Sequence, residues 1–268
     1  MPFVNHNGLI HLQDEAIIHI QSRALRYGEG LIETMFFEGR TLRHFDLHYQ
    51  RLNHSLEELH FPSFEKYAFE KELAKTIIAN QNPQKGILRA EFFLNESVFE
   101  LQFWIEFIHV KEDYGEWRSR GLALDISNKV VKSPDSISHI KSCSRLLYVI
   151  ARQEAIQNKL DDILICNPKG NIVESTHSNI FIIKEQKIYT PPLSEGCVSG
   201  VMRKFLLEKK EIEGITISEK VISKEMLADA DEVFLTNAVR GIQPVDSING
   251  RVYSTNATRY IFDLIAGR

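Results

Sequence analysis

The chain has 268 residues, 43% apolar and 25% charged, with a formal net charge of −4. That length accommodates two modest domains or one large one, with a core that needs no disulfide or metal support. The interspersed charges form no basic stripe of the kind nucleic acid requires, and no apolar run is long enough to span a bilayer.

The three cysteines, Cys143, Cys166 and Cys197, are odd in number and far apart, which fits a reducing compartment better than a disulfide framework. The N-terminal stretch lacks the basic start and apolar run of a secretory signal. These features predict a soluble, cytoplasmic protein with no nucleic-acid or membrane partner.

In chain order, Val4 to Leu12 reads as a hairpin turning at Asn7-Gly8. Leu31 to Phe37 and Thr41-Leu42 form another, broken at Glu38-Gly39. Asp46 is expected to cap a helix with Tyr49, Leu52, Leu56 and Leu59 on its apolar face. A second helix is expected over Phe64 to Gln81, then strands over Ile87 to Leu94 and Phe99 to Ile108. The polar segment from Lys111 to Gly121 holds two glycines and breaks the pattern. It predicts an N-terminal α/β sandwich domain over 1–114, a linker over 115–121 and a C-terminal domain over 122–268.

The second half starts with a strand near Leu122 to Ile126 and a helix near Arg145 to Asn158. Strands Ile163 to Cys166 and Ile172 to Ser175 flank a turn at Asn167-Pro168-Lys169-Gly170. Asn179 to Ile183 and Ile188 to Thr190 form a further hairpin, and a helix opens at Gly200. A strand over Thr216 to Val221, a short helix, a strand over Glu232 to Thr236 and a helix from Thr255 complete the chain. Many hairpins with interspersed helices predict an α+β fold rather than a doubly wound sheet.

Several side chains carry possible chemistry, and each has an ordinary reading beside it. Lys141 lies between apolar flanks ahead of a helix, where burial would free its amine as a nucleophile; read alone, it is a surface lysine. Glu174, at a strand end, has the chemistry to fix a protonated ring nitrogen, or is a solvated charge. Gly200-Val201-Met202 opens a helix whose first amides suit phosphate, although a glycine N-cap is common without one. Arg51 has the geometry for bidentate phosphate binding, as do many helix arginines that bind none. His44 and His48 lie one helical turn apart, but no third ligand accompanies them and no metal is expected. Walker A, GxGxxG and GxSxG motifs are absent.

The order of these features carries more than each alone. Arg23-Ala24-Leu25-Arg26-Tyr27-Gly28-Glu29-Gly30-Leu31-Ile32-Glu33-Thr34 resembles the opening signature of the class IV (fold type IV) pyridoxal-phosphate enzymes. His48-Tyr49-Gln50-Arg51-Leu52 resembles their next block. Gly170 to Glu174, Ser178 to Phe181, Thr190 to Leu193 and Gly200 to Arg203 resemble the family signature, and Phe234 to Val245 its last block. The resemblance spans nearly the whole chain in the family's order.

It implies a two-domain fold with a small two-layer N-terminal domain and a larger barrel-like C-terminal domain, assembled as a homodimer with the active site between domains. It implies pyridoxal 5'-phosphate as cofactor, carried by Lys141, which also shuttles a proton. Glu174 would pair with the pyridine nitrogen, and Arg51, the Val201 and Met202 amides and Asn237 would hold the phosphate. Many family members have threonine where Met202 stands, and Asn237 would offset the missing hydroxyl. Arg26, Arg89 and Arg240 are candidate carboxylate binders, each equally readable as a structural arginine.

The family holds branched-chain and D-amino acid aminotransferases and aminodeoxychorismate lyases. Lys141 with Arg145-Leu146, Gly200 to Phe205, and Thr236-Asn237-Ala238 leading to Pro244-Val245 resemble the lyases. Glu33-Thr34 is more similar to the transaminases, and the Gly-rich, Arg-bearing loop of the lyases is shortened here to Leu94-Asn95-Glu96-Ser97. The leading expectation is a lyase forming 4-aminobenzoate and pyruvate, a step of folate biosynthesis. The second is an amino acid aminotransferase, and the third a degenerate relative serving as a cofactor-binding or interaction module.

Overall fold

The computed structural model describes residues 2–18, 20–95 and 97–267. Two compact units emerge, Met1–Tyr114 with Ile140–Arg145, and Gly115–His139 with Leu146–Arg268. The chain therefore returns briefly to the first unit after entering the second.

The first unit contains β1 (Phe3–His6), β2 (Leu9–Leu12), α1 (Arg23–Tyr27), β3 (Leu31–Glu38), β4 (Thr41–Leu42), α2 (Phe45–Glu58), α3 (Lys66–Ala79), β5 (Lys85–Asn95) and β6 (Glu100–His109). The sheet runs β2-β1-β6-β5-β3-β4 with every pairing antiparallel. Period-two alternation in β5 puts Leu88, Ala90 and Phe92 into the core, where Leu52 and Leu56 of α2 and Phe69 and Leu73 of α3 meet them. Burying each such large side chain stabilises the unit by about 1.5–3 kcal/mol. Arg89 and Glu91, on the alternate positions, stay at least partly open to solvent.

One cap departs from expectation. His44, in a left-handed conformation at φ 56, is the N-cap of α2, and no side chain caps the helix. Asp46 lies inside the first turn and bonds Lys66 Nζ at 2.6 Å. Its charge still suits the positive end of the helix dipole, which explains a carboxylate there without a capping bond.

The second unit contains β7 (Leu122–Val131), α4 (Leu146–Gln157), β8 (Asp162–Cys166), β9 (Ile172–Ser175), β10 (Asn179–Lys184), β11 (Lys187–Thr190), α5 (Val201–Lys209), β12 (Glu211–Ile212), β13 (Ile215–Glu219), α6 (Lys224–Ala228), β14 (Glu232–Asn237), β15 (Gly241–Ile248), β16 (Arg251–Val252) and α7 (Asn256–Ala266). Its ten-stranded sheet runs β12-β13-β11-β10-β14-β15-β7-β8-β9, with β16 on β15. A further β9–β10 pairing joins the path back on itself, so six strands from β10 round to β9 close a ring. That closure makes the sheet barrel-like and removes two edges. Hairpins dominate, but β15–β7, β7–β8 and β11–β13 are parallel.

β15 was not foreseen as a strand because Pro244 sits in it. Proline lacks the N–H that would donate to one of a central strand's two neighbours. Here Pro244 faces Phe234 of β14, and pairing with β7 on the other side begins only at Val245, with a bulge before Ser247.

Glu232 ties the start of β14 to α7. Its buried carboxylate accepts from the Ala257 and Thr258 amides at 2.9 and 2.7 Å and from the Thr258 hydroxyl at 2.7 Å. These bonds satisfy amides that the helix itself leaves open. Glu232→Ala is expected to lower stability by about 2–4 kcal/mol in urea denaturation, several hydrogen bonds to a buried charge being lost together; an unchanged midpoint would contradict this.

Candidate active site

In the first unit, the chemistry gathers at the start of β3. The Ile32 amide donates to the Lys141 carbonyl at 2.9 Å, the Cys143 amide donates to the Gly30 carbonyl at 2.9 Å, and Leu31 bridges Ser142. The segment Ile140–Arg145 thus lies along β3 like a short extra strand. Gly30 makes the approach possible: a Cβ there would stand 2.8 Å from the Phe92 carbonyl oxygen and 3.0 Å from Cys143 Sγ. Lys141 is half-buried at this junction. Burial, with help from Glu91, pushes the neighbouring Cys143 thiol up to about 12.

One residue further along β3, the buried Glu33 carboxylate faces α2. Arg51 grips it bidentately, Nε to Oε1 at 2.8 Å and Nη2 to Oε2 at 2.7 Å, and His48 Nδ1 lies 2.5 Å from Oε2. Burial alone would push the Glu33 carboxyl up; the Arg51 charge and the His48 and Arg51 bonds overcome it and hold it at about 2. Burial lowers His48, against the raising pull of Glu33, with Arg51 and Lys141 adding to the fall. Since a carboxylate only accepts, Nδ1 carries the His48 proton. Nε2 is then a buried acceptor with no partner among the described residues. The helical histidine pair is therefore not laid out as a joint ligand set: His48 turns to Glu33, and His44 is the helix cap.

In the second unit, Glu174 is not a solvated strand end. It is buried within β9, and three donors meet it: Lys132 Nζ at 2.5 Å and the Tyr148 hydroxyl at 2.6 Å on Oε1, and the Val198 amide at 2.9 Å on Oε2. The loop that supplies Val198 is itself braced. Buried Glu195 accepts from Asn167 Nδ2 at 2.6 Å and Asn171 Nδ2 at 2.7 Å, which fastens it to the β8–β9 turn.

The same loop leads into α5. Gly200 is its N-cap, and a Cβ there would fall 1.8 Å from Asn179 Oδ1, so any larger residue would displace the Asn179 amide. Val201 and Met202 occupy the first turn, where amides have no carbonyl of the helix to bond. Asn179 faces Thr236 directly across β10 and β14, so both side chains share one face. Asn179 bonds the Val198 carbonyl at 2.9 Å, which places that face toward the entrance of α5. Thr236 Oγ1 is buried there without a hydrogen-bond partner among the described residues. Asn237 is engaged internally: its Nδ2 donates to Ser178 Oγ at 2.9 Å, and its Oδ1 accepts from the Val239 and Arg240 amides.

Of the three candidate arginines, Arg26 is exposed at the end of α1, and Arg89 is exposed and paired with Glu106 at 3.0 Å. Arg240 is half-buried in the turn that Asn237 organises. In the shortened loop after β5, Glu96 lies outside the described residues. Sequence reasoning passed over Lys132, Tyr148 and Thr236. A tyrosine on the Ala151–Ala155 stripe of α4 was the one available signal, since a buried hydroxyl needs a partner.

Comparison with known proteins gives the family and the fold. The sequence model of class IV amino-transferases matches residues 30–248. An aminodeoxychorismate lyase from Vibrio harveyi is 24% identical over 240 residues, covering 87% of this chain and 88% of the relative. A D-alanine aminotransferase from Bacillus licheniformis is 25% identical over 267 residues, covering 94% of this chain and 90% of the relative. The crystal structure of the Escherichia coli branched-chain amino acid aminotransferase superposes with a TM-score of 0.90 at 23% identity, covering 99% of this chain and 94% of that one.

The Glu33 cluster gives the chain an acid-sensitive side. His48 is lowered from 6.5, so its contribution to stability is complete above that pH and declines below it. Glu33 is lowered from 4.5 to about 2, so its share, on the order of 3 kcal/mol, is lost as pH falls through that window. Urea denaturation at stepped pH is expected to show both losses. In Glu33→Gln the step below pH 4.5 is expected to shrink, the whole stability having dropped by about 3–5 kcal/mol with the buried carboxylate lost from beside Arg51. A variant as stable and as acid-sensitive as the parent would refute the assignment.

Proposed function

The chain belongs to the class IV aminotransferase family, whose cofactor is pyridoxal phosphate, and on that premise we propose that it is an aminodeoxychorismate lyase, releasing 4-aminobenzoate and pyruvate by β-elimination. It is a pyridoxal-phosphate-dependent transaminase or lyase. The interaction-module reading is accordingly set aside.

The donor sets fit the cofactor feature by feature. A phosphate needs donors, and within the second unit the Val201 and Met202 amides and the Thr236 hydroxyl, which has no partner among the described residues, offer them; Arg51 is the donor that the family resemblance adds. In this reading Thr236 replaces the hydroxyl that Met202 lacks, while Asn237 contributes by fixing the turn beside it. A ring N–H needs an acceptor, and the Glu174 carboxylate, with three of about four lone-pair positions filled, offers one. An aldehyde needs an amine, which is the role of Lys141.

When bound, the cofactor supplies an electron sink for a carbanion at the substrate α-carbon. Lys141 would hold the cofactor's aldehyde through its Nζ and, once released, would take the substrate's α-proton on that same amine. Glu33 would hold the Arg51 guanidinium in one orientation, ready to donate to an anion. Glu174 keeps the ring nitrogen's proton in place. Arg240, half-buried next to the Asn237 turn, is our choice for a substrate carboxylate, ahead of exposed Arg26 and of Arg89, which Glu106 engages.

The lyase reading rests on the run Thr236-Asn237-Ala238 to Pro244-Val245, in which Asn237 locks the turn through Ser178 and two backbone amides. An amino acid aminotransferase is the second reading, favoured by Glu33-Thr34 in β3. A homodimer accompanies either: Ile17, Ile18, Ile20, Leu25 and Tyr27 form an exposed apolar run that a second copy would cover. Three free cysteines support a cytoplasmic setting.

Two assays on one preparation separate the readings. Aminodeoxychorismate is expected to yield 4-aminobenzoate, with Lys141→Ala slower by about a thousandfold. D- and L-amino acids offered with a keto acid are expected to give little conversion to the pyridoxamine form. Brisk amino transfer without 4-aminobenzoate would establish the aminotransferase instead.

A further inference from the structure

We propose that Lys132 is a positioning residue for Glu174, and that its charge sets how firmly this carboxylate holds a proton on the cofactor's ring nitrogen. The inference rests on the reading of Glu174 given above.

Lys132 follows directly on β7, and its amide donates to the Cys166 carbonyl at 2.9 Å, so its backbone is fixed against β8. Its side chain is buried, an unusual place for lysine. Nζ lies 2.5 Å from Glu174 Oε1 and 5.3 Å from the centre of the Tyr148 ring. Ammonium, phenol and ring face thus form one contact set around a single carboxylate oxygen. The groups facing Glu174 from every side can be named. Across β8 and β10 its partners are Ile165 and Asn179, which carry no charge. From α4 comes the Tyr148 hydroxyl, and from the loop before α5 the Val198 amide. Cys197, in that loop, is a thiol pushed up to about 11 by burial and stays neutral. Among the described residues, Lys132 is therefore the cation in contact with Glu174.

Two consequences follow. With Oε1 occupied by two donors and Oε2 by one, the orientation of the carboxylate is set before any ligand arrives. What it accepts at the remaining position must be a donor, which is the protonated ring nitrogen. The ammonium also neutralises part of the carboxylate's charge at close range in a dry setting, where such effects are large. Glu174 beside Lys132 consequently holds a ring proton less tightly than a lone buried carboxylate would.

The test uses protein reconstituted with pyridoxal phosphate carrying 15N in its ring, and reads the nitrogen resonance against pH. Wild type and Lys132→Arg are expected to titrate alike. Lys132→Met, and Lys132→Gln, which keeps a hydrogen bond but loses the charge, are expected to keep the nitrogen protonated to a pH higher by about one unit or more. Either neutral variant suffices should the other fail to fold. Coincident titrations of wild type and the neutral variants would overturn the proposal. Glu174→Gln separates the two levels of the argument. If it moves the resonance while the Lys132 variants do not, only the role of Lys132 falls. If it leaves the resonance unchanged, the reading of Glu174 falls, and this proposal with it.

Discussion

Four residues at the start of β3, Gly30 to Glu33, fix the first unit's chemistry. Gly30 lacks the side chain that would keep the Ile140–Arg145 segment away, Ile32 bonds the Lys141 carbonyl, and Glu33 holds Arg51 and His48. An amine and a guanidinium that are far apart in sequence are thus referred to one strand end. Ile32 serves through its backbone amide, in the plane of the sheet, and Glu33 through its side chain, out of that plane. A slip of one position in the β3–β5 register would turn the Glu33 side chain to the other face, away from α2.

The two units share a device, a buried carboxylate satisfied from several directions. Glu33 receives a bidentate guanidinium and an imidazole; Glu174 receives an ammonium, a phenol and an amide. Burying a charge costs several kcal/mol, and only close, well-aligned donors offset that cost. The consequence is rigidity: with most lone pairs engaged, neither carboxylate has an alternative orientation of similar energy. For proton transfer that rigidity matters more than the pairs' net stability, since the reacting groups must hold their geometry while charge moves.

The strands and helices were legible where periodicity and turn residues agreed. The Asn7-Gly8 hairpin, the alternation of β5 and the glycine-capped α5 follow from local rules. β15 was hidden because Pro244 contradicts a central strand, and only the offset between its two pairings accommodates it. Lys141, Glu174 and Arg51 were singled out by the order of the family's motifs, since each alone looks ordinary. Lys132 could not be read, because nothing in Lys129-Val130-Val131-Lys132 says which lysine turns inward; that depends on where β9 places its carboxylate. Thr236 was overlooked in favour of Asn237, whose amide is taken up by its own turn. Hydrogen-bond accounting distinguishes these neighbours, and residue type does not.

The central claim is that the amine of Lys141 is the one joined to the cofactor. Borohydride reduction of the yellow protein, followed by proteolysis and mass spectrometry, locates that bond directly. The account predicts a phosphopyridoxyl mass on the peptide containing Lys141 and none on the peptide containing Lys132. A label on any other lysine, or a protein that takes up no cofactor, would contradict it.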